Sequence, residues 1–118
     1  MRVLDQLEPR SVFHFFEDLC QIPHGSGNTR AISDYCVAFA QARGLRYVQD
    51  ELNNVVIWKE GTAGYENAPA VILQGHLDMV TEKTSDSTID FTKDALALQV
   101  EGDFISAKGT TLGGDDGI

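Results

Sequence analysis

The sequence predicts an α/β fold, because two helical patterns at the start of the chain are followed by segments that alternate like strands. The helical patterns lie within residues 7–44, and the strand-like alternation begins at Leu45 and returns in residues 96–105. A chain of 118 residues is long enough for one domain with a modest core, or for part of a larger one. We therefore expect a mixed β-sheet flanked by helices.

The first helix is predicted to begin at Leu7–Pro9, because proline suits the first turn of a helix, and to end before Pro23. A second helix follows, with Ser26 or Asn28 as its N-terminal cap and Gly44 as its stop. Each helix has one apolar face, formed by Val12, Phe13, Phe16, Leu19 and Cys20 in the first and by Ala31, Ile32, Tyr35, Cys36 and Phe39 in the second.

Four segments after the helices have strand character. Leu45–Gln49 alternates and Val55–Trp58 is apolar, so they predict a β-hairpin, with Trp58 in the core. Ala70–Gln74 is a β-branched apolar run that predicts a strand buried on both faces. Residues 96–105 alternate around a Gly-Asp turn and predict a second hairpin.

The composition excludes several classes of partner. Nine basic against 18 acidic residues give a net charge of −9, which argues against nucleic acid and anionic membranes. The sequence contains no apolar run near the roughly 20 residues of a membrane span, and its first residues lack the apolar core of a signal peptide. Cys20 and Cys36 have no metal-type spacing and are predicted to be free thiols. We expect a cytoplasmic protein.

His76 and Asp78 follow the predicted strand at its carboxyl end, where open α/β proteins place their ligands. Residues at i and i+2 of a strand point the same way, so the imidazole and the carboxylate are expected to share one face. That arrangement is typical of a metal-ligating histidine with its orienting partner, although a structural histidine is the simpler alternative. His24, in a loop beside glycine and serine, could contact a substrate but is not taken as a site residue.

A glycine-rich loop near the end of the chain has two adjacent carboxylates, Asp115 and Asp116. Glycines let the backbone approach closely, and acidic side chains beside them suit a cation. The alternative is an Asx turn that caps a following helix.

Together these motifs closely resemble the zinc-dependent M20 metallopeptidases, and within them the aminoacyl-histidine dipeptidases. The resemblance rests on Gly75–Val80 and Gly109–Ile118, and it extends to Leu19–His24 and Asp90–Asp94. It therefore covers nearly the whole chain. It implies that residues 1–118 form the N-terminal portion of a zinc-peptidase catalytic domain.

The resemblance also implies roles for individual residues. His76 would bind one of two zinc ions, Asp78 would be the catalytic aspartate that orients this histidine, and Asp115 would bridge both ions. Relatives commonly have asparagine where this chain has Asp116, which is therefore a possible alternative ligand. Other divalent metals are possible at such a site, and the substrate-binding residues stay open.

The implied activity is hydrolysis of short peptides, above all Xaa-His dipeptides, by a water activated between the two zinc ions. The general base, the remaining ligands and a lid domain that mediates homodimerisation are expected beyond residue 118, so this piece alone is expected to be inactive. Two alternatives stay open. One is another M20 activity, such as a tripeptidase or an acyl-amino-acid deacylase; the other is a non-catalytic domain that binds metal or peptide.

Overall fold

The computed structural model describes residues 2–115, which contain two helices and four short strands. The strands form two separate antiparallel pairs, β1 with β2 and β3 with β4. The α/β class predicted from the sequence is confirmed. The elements are α1 (Arg10–Cys20), α2 (Arg30–Ala42), β1 (Arg46–Gln49), β2 (Val55–Trp58), β3 (Leu98–Glu101) and β4 (Phe104–Ala107).

The hydrophobic core joins α1 to the second hairpin and to the segment around Met79. Burial of these apolar side chains is the main force that holds distant parts of the chain together. Leu96 also donates its backbone N–H to the carbonyl of Cys20, which fixes the entry to β3 against the end of α1. The buried members are Leu4, Phe16, Cys20, Met79, Leu96 and Ala107.

Helix α2 packs against the first hairpin. Ile32 and Ala40 are buried on the packing face, and the Ser33 hydroxyl donates to the carbonyl of Asn53 at 2.8 Å. The helix stops as predicted, because Gly44 has a φ of +63°, a left-handed conformation that glycine adopts without strain.

The cap of α2 differs from the prediction. The helix begins after Thr29, and neither Ser26 nor Asn28 occupies the capping position. The hydroxyl of Ser26 instead donates to Asp78, 52 residues along the chain. A local pattern of polar residues does not show whether a hydroxyl will cap the nearest helix or donate to a distant acceptor.

The prediction that Ala70–Gln74 is a buried strand is wrong. Val71, Ile72 and Leu73 are 84–94% exposed, and no strand among residues 2–115 pairs with them. The apolar pattern indicates a tendency to be buried, but burial requires neighbouring strands that the described part of the chain does not provide.

The prediction that Trp58 belongs to the core is also wrong. Strand β2 alternates, so Val55 and Ile57 face inward while Val56 and Trp58 face outward. Trp58 is 38% exposed, and the Arg46 guanidinium lies 4.3 Å from the centre of its ring. The indole is thus partly covered by a cation–π contact rather than by core residues.

Both cysteines are free thiols, as predicted. No helix within residues 2–115 is long and apolar enough to cross a membrane.

Replacing Glu17 with alanine should destabilise the fold. The buried Glu17 carboxylate accepts hydrogen bonds from the backbone N–H groups of Val3, at 2.6 Å, and Leu4, at 3.2 Å. Glu17→Ala leaves the buried N–H of Leu4 and the partly exposed N–H of Val3 without their acceptor, so we expect a loss of about 2 kcal/mol in the free energy of unfolding, measured in urea. The matched control is Glu51→Ala, at an exposed position, and equal losses in the two variants would contradict the account.

Candidate metal centre

The His76 and Asp78 side chains form a hydrogen-bonded pair on the surface. His76 Nδ1 lies 3.1 Å from Asp78 Oδ1. Because an ionised carboxylate only accepts hydrogen bonds, Nδ1 carries the proton in this contact, and Nε2 is the nitrogen through which the ring would bind a metal. Residues 76–78 lie outside any strand, so the pair forms although the strand expected to present it is not there.

The second oxygen of the Asp78 carboxylate is also engaged. The Ser26 hydroxyl donates to Oδ2 at 2.5 Å, so the carboxylate is held between Ser26 and His76. The hydrogen bond from Ser26, followed by that from His76, holds the pKa of Asp78 below its ordinary value. Asp78 is therefore ionised at neutral pH and suited to keep a proton on His76 Nδ1.

Backbone pairing brings Ser26 and Asp78 together. Gly25 and Met79 form a parallel β-bridge, in which Met79 donates its N–H to the His24 carbonyl at 2.9 Å and Ser26 donates its N–H to the Met79 carbonyl at 3.1 Å. A Cβ added at Gly25 would lie 2.7 Å from Cγ2 of Thr81. Glycine therefore allows the two segments to approach this closely.

The glycine-rich loop runs beside the same segment. Thr111 donates its N–H to the Glu82 carbonyl at 2.9 Å and its hydroxyl to the Val80 carbonyl at 2.7 Å. A Cβ added at Gly113 would lie 2.4 Å from Cβ of Met79, so glycine is required where the loop crosses Met79. The loop then reaches Asp115, which is exposed.

Two buried side chains lie beneath this loop. The Cys20 thiol donates to the Gly113 carbonyl at 3.7 Å, and burial, with smaller contributions from Glu17 and Asp115, raises its pKa to about 12. The thiol therefore stays protonated at neutral pH and is unsuited to bind zinc, which takes a thiolate.

His24 is the second of these side chains and is only 1% exposed. Its Nδ1 donates to the Ile22 carbonyl at 2.7 Å. Its Nε2 has no hydrogen-bond partner among the described residues and lies 3.7 Å from the position that a Cβ on Gly114 would take. The ring thus packs against the glycine-rich loop.

The structure brings the two predicted motifs into neighbouring positions through Met79. The imidazole nitrogen and carboxylate oxygens of these motifs are ligands that zinc binds in proteins. Within residues 2–115, no group of three His, Cys, Asp or Glu side chains is arranged to hold a metal ion. The predicted alternative ligand Asp116 lies outside the described residues. The roles of His76, Asp78 and Asp115 stay predictions.

Sequence reasoning missed the role of Ser26 beside Asp78. The segment Gly25–Gly27 has the composition of a loop, and a serine between two glycines gives no signal of its acceptor. Only the pairing of this loop with Met79 reveals it.

The chain is similar in sequence and structure to part of two dipeptidases. A crystal structure of aminoacylhistidine dipeptidase from Vibrio alginolyticus superposes on 97% of this chain with a TM-score of 0.90 and 40% sequence identity. The chain corresponds to 23% of that protein. No family model matches the chain.

A curated relative gives the same result over the full sequence. The cytosol non-specific dipeptidase of Escherichia coli (strain K12) is 42% identical over all 118 residues. The chain spans about a quarter of the length of that relative, 24%. The chain is homologous to part of these dipeptidases, and the resemblance predicted from the sequence is confirmed.

Replacing Gly113 with alanine should displace the glycine-rich loop. The added methyl group would overlap Met79, which is buried in the core, and overpacking of this kind costs about 1–3 kcal/mol in the free energy of unfolding. Urea denaturation measures the change.

The control for this substitution is Gly44→Asn, at an open position with φ of +63° that asparagine tolerates. If Gly113→Ala were no more destabilising than Gly44→Asn, the close contact between the loop and Met79 would be disproved.

Proposed function

We propose that this chain is the N-terminal portion of the catalytic domain of an M20 zinc dipeptidase. The observation that carries the proposal is the hydrogen-bonded pair of His76 and Asp78 beside the glycine-rich loop, in a chain homologous to two proteins named as dipeptidases. A histidine whose Nδ1 is held by a carboxylate is the usual form of a metal-binding imidazole.

The proposed ligands come from two segments that contact each other. His76 would bind one zinc ion through Nε2, Asp78 would hold the ring in that orientation, and Asp115 would bridge the two ions, with Asp116 as the alternative ligand. A pair of zinc ions supplies Lewis acidity toward a peptide carbonyl and lowers the pKa of a bound water. A carboxylate shared by both cations would offset their mutual repulsion. Other divalent ions can also bind to oxygen and nitrogen ligands of this kind.

The proposed substrates are short peptides, with Xaa-His dipeptides first. The solved relative is named an aminoacylhistidine dipeptidase, and the curated relative a cytosol non-specific dipeptidase. These names favour a dipeptidase over the tripeptidase and deacylase alternatives, and over a non-catalytic binding domain. The second name also supports a cytoplasmic location. A lid domain outside residues 1–118 is proposed to complete the substrate pocket and to form a homodimer.

The first test is metal dependence. The protein expressed from its complete gene should hydrolyse Ala-His, lose this activity after treatment with EDTA, and regain it with added Zn²⁺, because the water is activated by the metal. The 118-residue chain alone should not hydrolyse the dipeptide, since it supplies too few ligands for a catalytic centre. Hydrolysis of Ala-His that persists in EDTA would overturn the metal mechanism.

The second test separates the two adjacent aspartates. In the protein expressed from its complete gene, Asp115→Ala should lower kcat/KM for Ala-His by more than about 100-fold, because a bridging carboxylate binds both cations. Asp116→Asn, which restores the residue common in relatives, should change kcat/KM by less than about threefold. The reverse order of effects would assign the bridge to Asp116.

A further inference from the structure

The Ser26 hydroxyl contacts the Asp78 carboxylate of the predicted His-Asp pair from a distant part of the chain. Its Oγ lies 2.5 Å from Asp78 Oδ2 and 3.4 Å from the Met79 carbonyl. A hydroxyl has a single proton to donate, and the shorter contact to an ionised carboxylate is the stronger. The proton of Ser26 is therefore committed to Asp78.

The position of Ser26 is fixed by its own backbone. Its N–H donates to the Met79 carbonyl at 3.1 Å, immediately after the Gly25–Met79 bridge. The hydroxyl thus approaches the carboxylate from a backbone position that hydrogen bonds to Met79 hold in place. The side chain itself is on the surface, so its replacement leaves the core unchanged.

We infer that Ser26 is a positioning residue for the proposed metal centre, and that it acts through Asp78 on His76. This inference rests on the proposed function. The three side chains form a continuous series, in which Ser26 donates to one oxygen of Asp78 and His76 Nδ1 donates to the other. Without the serine hydroxyl, Asp78 can rotate away, and the imidazole loses both its orientation and the preference for a proton on Nδ1.

The expected size of the effect follows from other metalloproteins, in which loss of a partner to a metal ligand lowers metal affinity or activity by about 10–100-fold. Ser26 is one step more distant than Asp78, so we place its effect at the lower end of that range. Because Ser26 would act only through Asp78, replacing Ser26 should not change Zn²⁺ affinity once Asp78 has been replaced.

The test uses the protein expressed from its complete gene and measures Zn²⁺ affinity by competition with a chromophoric chelator. Ser26→Ala should weaken Zn²⁺ binding about tenfold. Ser26→Thr keeps the hydroxyl and should stay within about threefold of the unmodified protein. Ser85→Ala is the matched control, since Ser85 is exposed and lies outside the site, and it should leave affinity unchanged. Thermal midpoints of all three variants should agree.

A double-mutant cycle supplies the decisive comparison. In an Asp78→Ala background, Ser26→Ala should change Zn²⁺ affinity by less than about twofold. A tenfold loss in both backgrounds would overturn the inference, because Ser26 would then act independently of Asp78. Equal affinities of the Ser26→Ala and Ser85→Ala variants would also overturn it.

A second measurement needs neither metal nor substrate. Long-range ¹H–¹⁵N spectra of the metal-free protein should show the Nδ1–H tautomer of His76, and Ser26→Ala should reduce its population. If the Ser26→Ala variant kept the same population of the Nδ1–H tautomer, the positioning role of Ser26 would be overturned. If zinc binding and the tautomer follow the expectation but Ala-His is not hydrolysed, the proposed function fails while the positioning role stands.

Discussion

The pairing of residues 24–26 with Met79 is the contact on which the candidate site depends. Met79 donates to the His24 carbonyl and accepts from the Ser26 N–H, while its side chain is buried in the core. The same residue meets Gly113 of the glycine-rich loop. One methionine therefore connects the end of α1, the His-Asp pair and the loop that leads to Asp115. A displacement of Met79 would disturb all three at once.

Two ionisable groups near Met79, the Asp78 carboxylate and the Cys20 thiol, lie in different environments. Asp78 is half-buried on the surface, receives hydrogen bonds from Ser26 and His76, and stays ionised. The Cys20 thiol lies beneath the loop, where burial raises its pKa to about 12. A carboxylate that carries charge thus faces solvent, and a group that would be costly to ionise is enclosed.

Much of the local structure could be predicted from the sequence. Both helices and both hairpins follow from periodicity, and the stop of α2 follows from Gly44, because these features depend on neighbouring residues. The sequence also predicts that His76 lies near Asp78, although the strand invoked for it does not form. A spacing of two residues is enough for the side chains to meet.

The remaining features depend on distant parts of the chain. Ala70–Gln74 has the composition of a buried strand, but strand burial needs partners that residues 2–115 do not supply. The local pattern predicts Ser26 as a possible helix cap, but its hydroxyl donates to an acceptor 52 residues away. The contact between Gly113 and Met79 likewise joins residues that are far apart in the sequence. No local pattern encodes such pairings, so the sequence indicates the chemical groups of the candidate site but not the contacts that hold them in place.

The most direct test of the account is the position of the metal ions. A crystal structure of the protein expressed from its complete gene, with anomalous data collected at the zinc absorption edge, would locate them. The account predicts two peaks, one of them about 2.0–2.2 Å from His76 Nε2, with a carboxylate oxygen of Asp115 on each ion. Zinc bound through His76 Nδ1 would contradict the account. So would two zinc ions that are bridged by neither Asp115 nor Asp116.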